Sequence, residues 1–205
     1  MHSNEIIIPI LQRVGALLTE THVIYKSGRH GEAYVNKDAL YTSPADTSLA
    51  CQIMAEHFAN ANIEVVAGPT IGGVILSQWV AYHLGQLNPG AAPVAVFAEE
   101  TGEDRVFRRG YDAFIPGKRV LIVEDILTTG ASARKVVEVV RALGGEVVGV
   151  AALCNRGGVQ ASTVDAPELF ALTNLNLNTW EPDECPLCQQ GVPINTSVGY
   201  GGKKK

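Results

Sequence analysis

Residues 120–123, VLIV, are apolar at consecutive positions rather than at alternate ones. Successive side chains of a strand point to opposite faces, so a strand apolar throughout is covered on both. The segments 63–67 (IEVVA), 93–98 (PVAVFA) and 146–153 read the same way. Helical patterns alternate with them, over 73–84 and over 130–143, the second stopped by Gly144 and Gly145. A further helix is expected from Pro44 to about Ala61. Ser43 serves as its cap, Pro44 fits its first position, and Asp46 favours the positive end of its dipole. Strands buried on both faces and alternating with helices give an α/β chain with a central, mostly parallel sheet flanked by helices.

The remaining segments are less regular. Residues 5–18 read as an amphipathic helix despite Pro9, and the polar turn SGRHGE inside 22–41 suggests a hairpin-like unit. Residues 99–118 are charged and poorly periodic, and the terminal GYGGKKK reads as a solvated tail. The formal charge of −5 argues against a broad nucleic-acid surface. No stretch approaches the ~20 apolar residues of a membrane span, and the N-terminus lacks the basic region of a secretory signal. The cytoplasm is the expected compartment.

The most informative chemistry follows the strand at 119–123. Glu124 and Asp125 end it, and Ile126 and Leu127 lead into a run of small and hydroxyl-bearing residues, Thr128, Thr129, Gly130, Ala131 and Ser132, before the helix. Ligands of parallel sheets bind beyond the carboxyl ends of strands. A helix start with Thr and Ser hydroxyls and free-standing N–H groups suits a phosphate dianion, and Gly130 lets the backbone come close. The paired carboxylates repel that phosphate but suit vicinal sugar hydroxyls, or magnesium held through water. Phosphate at one end and diol at the other describe a ribose 5-phosphate lying across the loop. The segment has neither the Gly-Lys-Ser/Thr of a P-loop nor the glycine spacing of a dinucleotide fold. The plainer alternative is a buried strand followed by an ordinary acidic turn.

Residues 120–132 resemble the phosphoribosyl-pyrophosphate signature of type I phosphoribosyltransferases, and the chain resembles the orotate phosphoribosyltransferase family over about residues 10–195. Residues 26–38 (KSGRHGEAYVNKD) resemble that family's N-terminal substrate segment, and 68–74 (GPTIGGV) its pyrophosphate loop. Residues 155–157 (NRG) stand where it has an arginine that grips orotate. The resemblance implies one phosphoribosyltransferase domain over 1–205, with a small hood from about 1–40 and about 165–200. It implies that residues 124–132 hold the ribose and 5-phosphate, with Lys26, Thr70, Ile71 and Gly72 near the pyrophosphate. Thr128, Arg156 and Tyr34 would contact orotate. The reaction implied is orotate plus phosphoribosyl pyrophosphate giving orotidine 5′-monophosphate and pyrophosphate, with Mg2+ held through substrate and water near Asp125 rather than by direct protein ligands. A homodimer is implied as well.

The likeness breaks at 99–110, where the family has a mobile catalytic loop with an arginine–lysine pair near its start, then a further lysine and a histidine. Here the segment opens with Glu99 and Glu100, and its cations are Arg105, Arg108 and Arg109. These acids would repel pyrophosphate unless they face away or bind magnesium. Arg105, Arg108 or Arg109 is the expected substitute cation, with Arg105 and Arg109 placed beside Glu124 and Asp125 as catalytic candidates. A phosphoribosyltransferase for a purine, and a non-catalytic sensor of phosphoribosyl pyrophosphate, stay open as alternatives. Arg156 favours an anionic base, although a loop arginine that caps a helix or pairs with Asp165 is the plain reading.

Four cysteines do not make a secreted disulfide framework. Cys185-Pro-Leu-Cys188 has the spacing of half a zinc site. No second pair or nearby histidine completes it within the C-terminal segment, so thiols without metal are the default, with a disulfide or a dimer-shared zinc as alternatives. His22, His30, His57 and His83 are scattered along the chain and form no visible constellation.

Overall fold

A six-stranded sheet in the order β10-β9-β8-β5-β6-β7 dominates the computed structural model, which describes residues 3–25, 27–175 and 177–201. In chain order the elements are α1 (Ser3–Arg13), β1 (Leu17–Leu18), β2 (Val23–Ile24), β3 (His30–Gly31), β4 (Tyr34–Val35), α2 (Lys37–Tyr41), α3 (Pro44–His57) and β5 (Val65–Pro69). They continue with α4 (Gly72–Leu87), β6 (Val94–Thr101), β7 (Asp104–Phe107), β8 (Arg119–Leu127), α5 (Ala131–Ala142), β9 (Glu146–Asn155), β10 (Leu169–Asn174), β11 (Thr179–Trp180) and α6 (Pro186–Gln189). The chain divides into two compact units, one of residues 1–7 and 44–175, the other of 8–43 and 176–205.

In the first unit all strand pairings are parallel except that of β7 with β6. The apolar runs seen in sequence are the central strands: every residue of β5 is buried, and so is β8 from Val120 to Asp125. Alternation divides their side chains between two faces. Val65, Ala67, Val120, Ile122, Val150 and Ala152 join Val136, Val137 and Val140 of α5 in one apolar cluster. Val66, Leu121 and Val123 point the other way and are equally buried.

The connections explain why both faces are covered. From β5 through α4 to β6 the chain moves toward one sheet edge; from β8 through α5 to β9 it moves toward the other. Crossovers between parallel strands are right-handed, so α4 and α5 lie on opposite faces. The direction changes between β5 and β8, which pair directly, Ala67 opposite Ile122. Crevices form outside the carboxyl ends of strands at such a switch point.

Several boundaries differ from the sequence reading. The strand expected to end at Val123 continues to Leu127, because Glu124, Ile126 and Leu127 pair with Ala152, Cys154 and Asn155 of β9. The charged stretch after residue 98 contains a hairpin, β6–β7, with Glu100 opposite Arg105. Strand β10, within the segment expected for the hood, pairs with β9 at the sheet edge. The first helix stops at Arg13 rather than at Leu18: Gly15 takes φ 72°, Ala16 N–H closes on Leu11 O at 2.7 Å, and Leu17–Leu18 then pair as β1 with β4. Helix α3 stops at His57, and the chain leaves through Asn62 at φ 50°.

In the second unit β2, β3 and β11 form a three-stranded antiparallel sheet, so the expected hairpin-like unit is present. Arg29 ties it to the C-terminal segment, donating to Glu181 Oε1 at 2.6 Å and to Thr179 O at 2.9 Å. The last four residues of the expected tail, 202–205, lie outside the described residues.

Candidate functional site

The loops after β5 and β8 leave adjacent strands on the same side of the switch point. Their geometry is built by glycine. A Cβ on Gly68 would stand 2.6 Å from Gly73 Cα and 2.8 Å from Val123 O, so the turn into α4 closes only without side chains there. Thr70 N–H donates to Ala98 O at 2.9 Å, the Thr70–Ile71 peptide is cis, and α4 begins at Gly72. Ile71 is 78% exposed, so the outer side of this turn faces solvent.

The second loop starts from buried acids. Glu124 and Asp125 are 6% and 5% exposed. Glu124 Oε1 accepts Asp125 N–H at 3.0 Å, and Asp125 Oδ1 accepts Ile126 N–H at 2.7 Å. Buried carboxylates need such donors. The chain then surfaces: Thr128, Thr129 and Ala131 are exposed and Ser132 is half-buried. Gly130 turns the chain into α5 with φ 78°, a left-handed conformation natural to glycine. Thr129 Oγ1 accepts Ala131 N–H at 3.3 Å. The first N–H groups of α5 have no acceptor within the helix and form its positive end. The arrangement is thus an acid pair below an open, donor-rich loop.

Arg105 spans the two loops. Its Nη2 donates to Ser132 Oγ at 2.9 Å, its Nη1 lies 3.5 Å from Thr70 Oγ1, and its side chain is only 12% exposed. The other two arginines bond elsewhere among the described residues. Arg109, at φ 60°, pairs with Glu99 at 2.8 Å, and Arg108 donates to Thr101 Oγ1 at 3.1 Å. Glu100 lies 3.5 Å from Arg105 Nη1. Each acid that the sequence placed against an anionic ligand therefore has an arginine beside it.

Arg156 follows β9. Its N–H donates to Leu127 O at 2.9 Å, and its Nη2 donates to Thr128 Oγ1 at 3.3 Å. Two of the three residues assigned to the base by resemblance, Arg156 and Thr128, thus meet. The plain alternative, a pair with Asp165, is taken by Arg141, which bonds the Asp165 carboxylate. Tyr34 lies on β4 of the second unit, and Lys26 lies outside the described residues.

One contributor was not singled out in the sequence. Lys135 lines a cleft of about 500 Å³ together with Glu100, Arg105, Ala131 and Ser132. Its ammonium bonds the carbonyl of Glu103, which joins α5 to the β6–β7 turn. The signal was its spacing, one helical turn beyond Ser132 on the same face.

Comparison with known proteins gives a consistent picture. The phosphoribosyl transferase domain model matches residues 36–187. An orotate phosphoribosyltransferase of Desulforamulus reducens is 38% identical over 191 residues, 93% of this chain and 94% of that protein. One of Caldicellulosiruptor bescii is 37% identical over 198 residues, 97% of each chain. The crystal structure of Mycobacterium tuberculosis orotate phosphoribosyltransferase in complex with 5-phospho-alpha-D-ribosyl 1-diphosphate superposes with a TM-score of 0.64. It is 27% identical in sequence, over 84% of this chain and 96% of that one.

Proposed function

The chain belongs to the orotate phosphoribosyltransferases, within the phosphoribosyl transferase family, and we propose that it transfers the 5-phosphoribosyl group of phosphoribosyl pyrophosphate to orotate. The products are orotidine 5′-monophosphate and pyrophosphate, a step of pyrimidine nucleotide synthesis. The observation that carries this reading is the buried pair Glu124 and Asp125 directly below the open loop 128–132, at the switch point of the sheet.

In this reading the 5-phosphate rests on the N–H groups and hydroxyls of residues 128–132, and the ribose hydroxyls on the two carboxylates. The pyrophosphate lies against the backbone of Thr70, Ile71 and Gly72, with Arg105 as its cation. A ring nitrogen of orotate gives up its proton to water and bonds to the anomeric carbon as the bond from that carbon to pyrophosphate breaks, and the electron pair of that bond leaves with pyrophosphate. Positive charge builds on the ribose as the bond breaks, and the acids lie where that charge develops. Arg105 meets the negative charge growing on the leaving group. Arg156 and Thr128 receive an anionic edge of the base, and the family resemblance adds Tyr34 and Lys26. A neutral purine would leave the Arg156 charge unanswered, which disfavours the purine alternative.

Magnesium is part of the proposal. The donors here, carboxylates and hydroxyls, are hard oxygens of the kind that ion prefers, and it usually keeps several waters. Asp125 and Glu124 would hold it through water and substrate, and its charge would offset that of the diphosphate. A homodimer and a cytoplasmic location complete the reading; no helix among the described residues is long and apolar enough to cross a membrane.

The test is pyrophosphate release from phosphoribosyl pyrophosphate and magnesium, with orotate, adenine, guanine or hypoxanthine as acceptor. Release with orotate alone is expected. Release only with a purine would overturn the base assignment, and tight binding without release would overturn the enzymatic reading.

A further inference from the structure

The second unit gathers four metal-ligating side chains that lie far apart in sequence. His22 precedes β2, where its backbone bridges Ile194 and its carbonyl accepts Asn195 N–H at 2.7 Å. His30 opens β3, between Ile24 of β2 and Trp180 of β11. Cys185 immediately precedes α6, and Cys188 lies within it. One ligand atom from each of the four lies within 4.8 Å of all the others. The reading of His22 and His30 as unrelated histidines is thereby corrected: the antiparallel pairing of β2 with β3 brings them together, and β11 delivers the cysteines.

We infer that His22, His30, Cys185 and Cys188 form a structural zinc site that fastens the C-terminal segment to the β2–β3 hairpin. The distances suit a tetrahedron. Zn–S near ~2.3 Å and Zn–N near ~2.0–2.1 Å imply edges of roughly 3.3–3.8 Å between ligand atoms. His22 Nε2 lies 3.6 Å from Cys185 Sγ and 3.7 Å from Cys188 Sγ, and His30 Nδ1 lies 3.3 Å from Cys188 Sγ. The imidazole pair, His22 Nε2 to His30 Nδ1, stands at 2.9 Å and has to open by a few tenths of an ångström, about one rotamer adjustment.

The hydrogen bonds of the cluster orient its lone pairs. His22 Nδ1 lies 2.8 Å from Val192 O, an acceptor only, so Nδ1 carries the proton and Nε2 presents its lone pair. That single lone pair faces an imidazole nitrogen and two sulfurs. One cation would take a lone pair from each of the four groups, the two sulfurs as thiolates. The Val192 contact is also the kind of outer partner that fixes the tautomer and orientation of a zinc-bound histidine.

Burial and charge favour the same ion. His22, His30 and Cys185 are 2%, 6% and 0% exposed. Two thiolates and a divalent cation leave a neutral centre, which such a site tolerates. Two sulfurs with two imidazoles select zinc over magnesium or calcium. Four protein ligands leave no open position, so the role is structural rather than catalytic. The ion closes the chain between His30 and Cys185, and constraints that close long loops stabilise most.

The test uses the full chain purified without chelator and then equilibrated with zinc and desalted. Elemental analysis should give about one zinc per chain. Cobalt substitution should give the visible bands of a tetrahedral ion with a thiolate charge-transfer band. Cys188→Ser, at an exposed position, should weaken zinc retention by about tenfold or more. Less than about half an equivalent of zinc in the wild-type chain, together with no thiolate–cobalt band, would overturn the assignment. So would a Cys185–Cys188 disulfide in the zinc-equilibrated protein. The stoichiometry and the cobalt spectrum need no variant, so a misfolded mutant does not leave the question open.

Discussion

Arg105 on β7 donates to the hydroxyl of Ser132 in the first turn of α5, 2.9 Å away. A hairpin that reads in sequence as a featureless charged loop is thereby tied to the proposed phosphate loop. Its neighbours Arg108 and Arg109 bond Thr101 and Glu99 instead. The three arginines are therefore predicted to separate in a mutational series. Arg105→Ala should lower kcat/KM by about 10²–10³, the cost of removing a donor aimed at developing charge. Arg108→Ala and Arg109→Ala should each stay within about fivefold of wild type, as exposed pairs contribute ~0–1 kcal/mol. Equal losses in all three variants would contradict the assignment of the cation to Arg105.

Arg156→Ala should act on orotate and spare the sugar phosphate. A hydrogen bond to a charged group contributes about 1.5–3 kcal/mol, so KM for orotate should rise by about tenfold to 100-fold. The dissociation constant for phosphoribosyl pyrophosphate, measured without base, should change by less than about threefold, a few tenths of a kcal/mol. An unchanged KM for orotate would return Arg156 to a purely structural role beside Thr128.

Gly130→Ala should weaken both fold and phosphate binding. The position has φ 78°, and an added Cβ would stand 2.8 Å from Val164 Cγ1 and 3.0 Å from Val159 Cγ1. The left-handed backbone alone costs about 1–2 kcal/mol, and overpacking adds to it. Denaturant titration should show a loss of about 2–4 kcal/mol with an unchanged m-value. A loss below about 1 kcal/mol would mean that the turn relaxes around the methyl group.

The central sheet was legible because burial on both faces leaves an unbroken apolar run, as in Val120–Val123. The acids were legible because Glu124 and Asp125 interrupt that run just before a helix start. The continuation of β8 to Leu127 was not, since the strand carries its carboxylates inside the ladder and β9 holds them there. The β6–β7 hairpin had a signal in the two residues Gly102 and Glu103 between paired positions Thr101 and Asp104, and in Glu100 opposite Arg105. Charge density masked the alternation. The meeting of His22 and His30 with Cys185 and Cys188 had none, because β11 pairs with β3 across a separation of about 150 residues.

The buried thiols carry a prediction about alkaline pH. Burial pushes Cys51 up from its ordinary 9.0 to about 12. Burial also raises Cys154, to about 11, against the opposing pull of the Arg156 cation. A thiol whose folded value exceeds its unfolded one stabilises the fold fully below the unfolded value, and that contribution is lost as pH rises toward the folded value. Cys51 should therefore remove about 1.4 kcal/mol per pH unit between 9.0 and about 12. Cys51→Ala, less stable at pH 7, should lose stability more slowly than wild type on going to pH 10.5. Parallel stability curves for the two proteins would contradict this. Below pH 8 neither thiol should react with iodoacetamide unless the chain is unfolded.

A crystal structure with orotidine 5′-monophosphate bound, solved to a resolution that separates phosphate from ribose, addresses the core of the account. The prediction is a phosphate seated on the backbone of residues 128–132 and ribose hydroxyls within hydrogen-bond reach of Glu124 and Asp125. A nucleotide bound with its phosphate elsewhere, or with the base rather than the sugar above the two acids, would contradict it.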